Sequence, residues 1–599
     1  MNRHHDLPFG AEYQNDGKTR FSLWAPAAGN VDLVLDGDSR PMQRDEDGVF
    51  TLTTEAEPGT RYHYRIDGEL EVPDPASRYQ PEDVHGSSVV VDPAAFEWKD
   101  EDWRGRPWEE TVLYELHVGA FSPEGTFAGV TQRLGYLAGL GVTAIELMPL
   151  SDFPGGRNWG YDGVLPFAPD SSYGTLDDLK ELVQAAHAEG ISVFLDVIYN
   201  HFGPEGNYLP VYAPQFFTER HETPWGAGIN FDSEGSRHVR EFFVHNALYW
   251  LEEYHLDGLR LDAVHAILDD SEEHFLAELA KRVKTGPGGD RHIHLVLENE
   301  ENGASLLRGP EGYTAQWNDD IHHALHVALT REDASYYGDY VDAPVSRLGR
   351  CLAEGFAYQG EPSRHRGNRR GEQSGDLTPG SFVAFLQNHD QVGNRAFGER
   401  ITVLASPEAV RAATSIYLLS PQVPMLFMGE EWATSTPFLF FCDFEPDLAP
   451  LVTRGRREEF AKFPEFSDPE VRDRIPDSGD EETFEASKLD WESREEPEHR
   501  RWFDLYKTLL QLRREEFVPR LPGTRGGEAL CRPVGERGLR VKWPLGDGSL
   551  LTLLANLGAE PLGGFEEPPG DLLYATEGVE GAEREMPAWS VAWYLRRAG

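Results

Sequence analysis

Acids, histidines and one arginine recur at the downstream ends of apolar runs in the middle of this chain. In order they are Asp196, Asn200 and His201 in "ISVFLDVIYNH", Arg260, Asp262 and His265 in "DGLRLDAVHA", Glu298 in "HLVLENE", and Asn388, His389 and Asp390 in "FVAFLQNHD". Two residues apart on a strand, Arg260 and Asp262 share a face, and by themselves they fit a structural ion pair as well as the floor of an active site. Three acids converging with an arginine and several histidines suit cleavage of a glycosidic bond. One carboxylate attacks or stabilises the anomeric carbon, a second, protonated, donates to the leaving oxygen, and their separation decides between retention and inversion. Arg260 would keep Asp262 ionised, and a drier position would raise the pKa of Glu298.

The elements that must position these residues are legible as a rhythm. From about Phe9 to Val91, short alternating runs such as "TRFSLWAP", "NVDLVLDG" and "TRYHYRIDG" are punctuated by Gly, Pro, Asp and Asn, which predicts a β-sandwich. Apolar strands then alternate with helical segments: Thr111 to Phe121, Val142 to Leu150, Ile191 to His201, the Asp257 stretch, His294 to Glu300, Tyr313 to Asp319, Phe382 to Asp390 and Val423 to Trp432. Eight such units predict an α/β fold, a (β/α)8 TIM barrel, with polar residues from different strand ends converging on one pocket. Runs such as "LRVKWPL" and "WSVAWYLRR" indicate a last β domain. The expected division is residues 1–95 for the N-terminal β-sandwich, 96–515 for the catalytic barrel with loop insertions and 516–599 for the C-terminal β domain. An aromatic, Pro/Gly-rich insertion between His201 and Gly235 should lie over the carboxyl-end face, and the charged stretch from about Arg454 to Arg500 reads as a solvated excursion.

Composition narrows the partners. The chain has 599 residues with 55 basic and 103 acidic side chains, a formal net charge of −48 that repels phosphate backbones and anionic headgroups. Nucleic acid and membrane surfaces are therefore poor partners, and a neutral substrate fits better. Three widely spaced cysteines form no zinc or disulfide pattern. The start "MNRHHDLPFGAEYQ" has no apolar core and there is no long apolar run, so the expected location is the cytoplasm. The oligomeric state is left open.

"DVIYNH", "DGLRLDAVH", the Glu of "LVLENE" and "FLQNHD" resemble, in order, the four short motifs of the alpha-amylase superfamily of retaining glycoside hydrolases. The resemblance spans essentially the whole chain. It implies that Asp262 is the nucleophile, Glu298 the general acid/base and Asp390 the acid that binds sugar hydroxyls and supports ring distortion. It also implies sugar contacts for Arg260, His201, His265 and His389, with Tyr161 of "NWGYDG" for ring stacking and Asp162 beside it. The finer strings "YELHVGAFSPEGTF", "QNHDQVGN", "FMGEEW" and "FFCDFEPDLA" are similar to those of the maltooligosyltrehalose trehalohydrolases. That likeness implies cleavage of the alpha-1,4 bond next to a terminal trehalose, with a trehalose-capped malto-oligosaccharide as substrate.

A branching or debranching enzyme of the same superfamily is the alternative. Branching enzymes usually place an acid after the last His-Asp pair, where this chain has Gln391, and read Gly-Gln-Glu where it has Gly429, Glu430 and Glu431. A sugar-binding protein without catalysis is disfavoured because all three acids are present. For the trehalose end, Tyr208, Trp225, Glu430 and Trp432 are the expected rim groups. In the loop Gly360 to Gln373 strand order favours the far face, whereas family likeness brings Arg366 to the substrate. Many superfamily members bind calcium near the Asn of the third-strand motif, here Asn200; no compact run of oxygen ligands accompanies it, and no cofactor is expected.

Overall fold

The computed structural model describes residues 4–14, 16–223, 226–309, 312–463, 466–579 and 584–598. Its centre is a closed parallel barrel of eight strands in sequence order. These are β1 Leu113–Leu116, β2 Ala144–Leu147, β3 Ser192–Val197, β4 Gly258–Leu261, β5 His294–Leu297, β6 Ala315–Trp317, β7 Phe382–Phe385 and β8 Val423–Phe427. β8 pairs with β1 to close the ring. Each expected strand is present but shorter than its apolar run. Asp196 and Arg260 stay within their strands, while Asn200, His201, Asp262, Glu298 and His389 fall just beyond them, as at Asp262, which follows the last residue of β4.

The barrel interior explains why those residues converge. Leu113, Ala144, Phe194, Val296, Ala315, Trp317, Phe385 and Met425 form one apolar cluster inside it. Side chains alternate along a strand, so residues two further on keep the same inward face. Above Phe194 comes Asp196, above Val296 comes Glu298, and Arg260 leads to Asp262 in the same way. Gly258 stands one step below Arg260, and a Cβ there would lie 2.2 Å from the Phe194 ring, so no side chain fits at that level.

At the opposite end of β4, Asp257 belongs to a different structure. It is fully buried and accepts hydrogen bonds from Trp103 Nε1 at 2.8 Å and the Val193 amide at 3.0 Å. It pairs with His187 at 3.0 Å and Arg291 at 3.1 Å. His187 in turn meets Asp100, which also holds His255. This network pins the linker after the sandwich beneath the barrel.

The sandwich consists of one antiparallel sheet with Gly10–Tyr13, Lys18–Trp24, Val49–Glu55 and Gln43–Arg44, and a second with Asp38–Pro41, Val31–Leu35, Arg61–Ile66 and Leu70–Val72. Phe21, Leu23, Leu33, Leu35, Phe50, Tyr62 and Tyr64 are buried. A five-stranded antiparallel sheet forms the C-terminal part, in the spatial order Leu530–Val534, Gly538–Pro544, Leu550–Asn556, Ser590–Arg596 and Asp571–Ala575. No described helix is long and apolar enough to cross a membrane.

Two insertions depart from expectation. The charged stretch near residues 454–500 is not simply solvated: it includes helices Ala449–Phe460 and Glu481–Ser487, and it buries Phe460, Ile475 and Leu489. Its sparse apolar residues are turned inward while the charges face out, a pattern that composition alone conceals. The insertion after β3 divides its residues. His201, Phe202 and Pro204 face the carboxyl-end cavity, while Phe216 packs on Trp24 of the sandwich at 5.4 Å between ring centroids.

Candidate active site

A cavity of about 650 Å³ opens at the carboxyl ends of the strands, with Asp262 and Glu298 in its lining. Asp262 is tied down from three directions. Its carboxylate accepts from Arg260 Nη1 at 2.6 Å and from Asn200 Nδ2 at 2.9 Å, and its backbone amide donates to Val197 at 3.1 Å. Burial by itself would raise its pKa, but Arg260, His201 and Asn200 outweigh this and hold the carboxyl below the ordinary aspartate range. Glu298 is set differently. Its Oε2 accepts from the Ala263 amide at 2.6 Å, and burial pushes its pKa well above the glutamate range, aided by Asp262 and opposed by Arg260. Ala263 adopts φ 41°, a left-handed turn immediately after Asp262 that aims this amide at Glu298. The floor thus carries one carboxyl shifted toward its ionised form and another shifted toward its protonated form, joined through a single peptide.

Around them the cavity is lined by Tyr161, Asp162, His201, His265, Arg366, His389 and Asp390, all expected from the sequence. Tyr161 stacks on His389 at 5.1 Å and donates its hydroxyl to Asp196 at 2.7 Å. His389 is paired with Glu115 of β1; burial would lower its pKa, but Asp390 and Glu115 raise it to about 9, so it carries a positive charge at neutral pH. His201 Nε2 is held by the Tyr161 carbonyl at 3.0 Å.

Arg260 requires a correction. It is 0% exposed and lies behind the cavity lining, between Asp196, Asp262 and the Trp317 ring, whose centroid is 4.2 Å from its guanidinium. Its inward parity one step below Asp262 buries it, so it charges and orients Asp262 and has no surface for a sugar. The rim expectation is also corrected. Glu430 is buried and accepts from Tyr417 and Tyr506, and Trp432 packs on Trp491, both away from the cavity. Tyr208 bonds to His85 outside the lining, and Trp225 lies outside the described residues.

Arg366 does line the cavity, although strand order had favoured the far face. Glu300 and Glu301, just beyond β5, form ion pairs with it and draw the loop forward. Sequence reasoning missed Asp319, Glu300, Tyr336 and His365 in the same lining. A parity signal was available for Asp319, which stands two residues beyond Trp317 as Glu298 stands beyond Val296. Tyr336 and His365 come from excursions between β6 and β7 that carry no such signal. Asn200 is engaged within the site: its amide nitrogen donates to Asp262 and its oxygen faces His201 Nδ1.

Residues 86–214 match the family described as Alpha amylase, catalytic domain; residues 8–95 match Carbohydrate-binding module 48 (Isoamylase N-terminal domain); residues 527–593 match Domain of unknown function (DUF3459). A malto-oligosyltrehalose trehalohydrolase from Saccharolobus solfataricus is 43% identical, covering 85% of this chain and 87% of its own. The chain belongs to the malto-oligosyltrehalose trehalohydrolase family. It is a glycoside hydrolase of the alpha-amylase superfamily, and carbohydrate is its substrate. The 1.4 Å crystal structure of a putative alpha amylase from Salmonella typhimurium superposes with TM-score 0.94 at 44% identity, covering 98% of this chain and 100% of that one. A 1,4-alpha-glucan branching enzyme from Vibrio parahaemolyticus is 34% identical over only 58% of this chain and 46% of its own.

Proposed function

We propose that this protein cleaves the alpha-1,4 bond next to the terminal trehalose of a malto-oligosyltrehalose, releasing trehalose and a shortened malto-oligosaccharide with retention at the anomeric carbon. The observation that carries the reading is the opposite setting of the two floor carboxyls, Asp262 ionised beside Arg260 and Glu298 protonated by burial, with Glu298 hydrogen-bonded to the residue after Asp262. In the first step an Asp262 oxygen bonds to the anomeric carbon. The bond from that carbon to the bridging oxygen breaks, and Glu298 gives its proton to that oxygen as the trehalose unit leaves. In the second step the Glu298 carboxylate takes a proton from water, whose oxygen displaces Asp262 and restores both groups. Asp390, Asp162, His201 and His389 lie where they can hold hydroxyls of the sugar undergoing reaction, and Tyr161 offers it a ring face.

The trehalose end is recognised by what lies beyond the point of cleavage. Binding energy made only with that disaccharide in the transition state raises kcat/KM for the capped chain above the plain one. Product analysis tests this directly: free trehalose should appear from a capped oligosaccharide, with much slower attack on the uncapped chain. Formation of alpha-1,6 branches without trehalose would establish a branching enzyme instead. The newly formed reducing end, followed by proton NMR, should appear first as the alpha anomer; the beta anomer would contradict retention.

A further inference from the structure

The charged insertion after β8 touches the loop that carries Asp390, and the steps above make no use of it. Its helix Ala449–Phe460 is fastened to that loop by Phe460, which buries against Ala396 and Ile475. Arg456, four residues earlier on the helix, donates from Nη2 to the Gly393 carbonyl at 2.5 Å and from Nη1 to Asn394 Oδ1 at 3.4 Å. Its guanidinium also lies over the ring of the cavity-lining Phe440, 4.8 Å from the centroid. Burial lowers the Arg456 pKa to about 10 against the opposing effect of Glu459, Cys442 and Asp390, so the cation persists at neutral pH. On the other side the loop is stopped by Trp159: a Cβ at Gly393 would lie 2.1 Å from that ring. Gly393 is thus held between a tryptophan and an arginine.

Asn394 carries this contact to the acid. It caps the helix His389–Gly393 and stands four residues after Asp390, so the two side chains share one side of the turn. Asn394 Nδ2 donates to Asp390 Oδ1 at 3.1 Å, and among the described residues it supplies the only hydrogen bond to that carboxyl. The amide is oriented from both ends, because turning it over would set its oxygen against a carboxylate and its nitrogen against a guanidinium. Both residues line the cavity, and the Asp390 side chain is 44% exposed. The contact therefore orients the carboxylate and leaves it open to substrate.

We propose that Asn394 and Arg456 are positioning residues: Arg456 of the insertion orients the Asn394 amide, and Asn394 holds the Asp390 carboxylate where it meets the hydroxyls of the sugar undergoing reaction. This rests on the sugar-binding role proposed above for Asp390. The test measures kcat and KM on a malto-oligosyltrehalose and, in parallel, on maltopentaose, with a melting profile for every variant. Asn394→Ala removes an exposed side chain, so the melting profile should persist while kcat falls about tenfold, the scale of one hydrogen bond to a charged group, and KM changes little. Arg456→Met can still pack on Phe440 but has no donors. It should lower kcat in the same sense, and Arg456→Lys should recover part of that loss. Because Arg456 acts through Asn394, the double variant should fall no further than Asn394→Ala alone. Losses that multiply in the double variant, or that appear in KM alone, would overturn the proposal. Asp390→Asn keeps the questions apart: wild-type kcat there refutes the role of Asp390 itself, whereas a loss there with wild-type kcat in Asn394→Ala refutes only the positioning. A wild-type protein that cuts maltopentaose but frees no trehalose refutes the substrate proposed above, and the comparison of variants on maltopentaose still decides the role of Asn394 and Arg456.

Discussion

Asp262 and Glu298 are chemically similar side chains whose pKa values move in opposite directions, Glu298 upward by burial and Asp262 downward by its partners, and that contrast yields two expected outcomes. Asp262→Asn keeps the shape and most of the hydrogen bonds of the floor but removes the attacking charge, so turnover should fall on the order of 10⁴-fold or more while the melting profile and oligosaccharide binding persist. Parallel loss of folding and activity would mean that Asp262 serves only as a partner for Arg260. The second outcome concerns pH. Asp262 must be ionised and its pKa is lowered, so the acid limb of kcat/KM lies below the ordinary aspartate value; Glu298 must be protonated and its pKa is raised, so the alkaline limb lies well above the ordinary glutamate value. The two limbs are properties of the coupled pair. Glu298→Gln should abolish the alkaline limb and cost roughly 10²- to 10⁴-fold on sugar leaving groups, but much less on an acidic phenol, which departs without protonation. An unchanged alkaline limb would assign it to another group.

The strand β4 shows how one element can carry structure at one end and chemistry at the other. Asp257 and Asp262 stand five residues apart in "DGLRLD", and the sequence marks both simply as acids beside an apolar run. Asp257 is closed in by His187, Arg291 and Trp103, whereas Asp262 opens onto the cavity. Burial opposes ionisation of Asp257, but His187, Arg291 and Trp103 outweigh it and lower its pKa; burial likewise opposes charge on His187, but Asp257 and Asp100 raise it. The Asp257 contribution to stability is therefore present above its unfolded pKa and lost as pH falls through the lower folded value. The His187 contribution is present below its unfolded pKa and lost as pH rises through the higher folded value. Asp257→Asn should destabilise the protein by about 3–5 kcal/mol, since a buried partner is left uncompensated. The deficit, measured by denaturant melts, should be greatest between those two limits and shrink at acid pH; a constant deficit would place the effect in packing instead of charge.

For the molecule as a whole, the sandwich reaches the catalytic cavity through aromatic packing. Trp24 stacks on His238 at 4.7 Å and meets Phe216 at 5.4 Å, and Phe216 approaches the cavity-lining Phe202 at 6.5 Å. Trp24→Ala should cost about 3–5 kcal/mol in stability and raise KM severalfold more than it changes kcat, because the wall shifts while the floor carboxyls stay in place. An unaltered KM would confine Trp24 to holding the domains together. The eight strands, their order and the acids and histidines at their ends were legible in the sequence by itself, because apolar runs, period-two alternation and turn residues act over a few neighbours. Parity could also have found Asp319 beyond Trp317, which the sequence reading missed. Whether a given polar residue faces the cavity was decided by the tertiary structure. It buried Arg260 under the floor, turned Glu430 toward two helices and Trp432 toward a distant tryptophan, and drew Arg366 forward onto Glu300 and Glu301. Those outcomes depend on which segments, often tens to hundreds of residues apart, supply the partner that offsets desolvation of a charge, and local pattern carries no record of that partner.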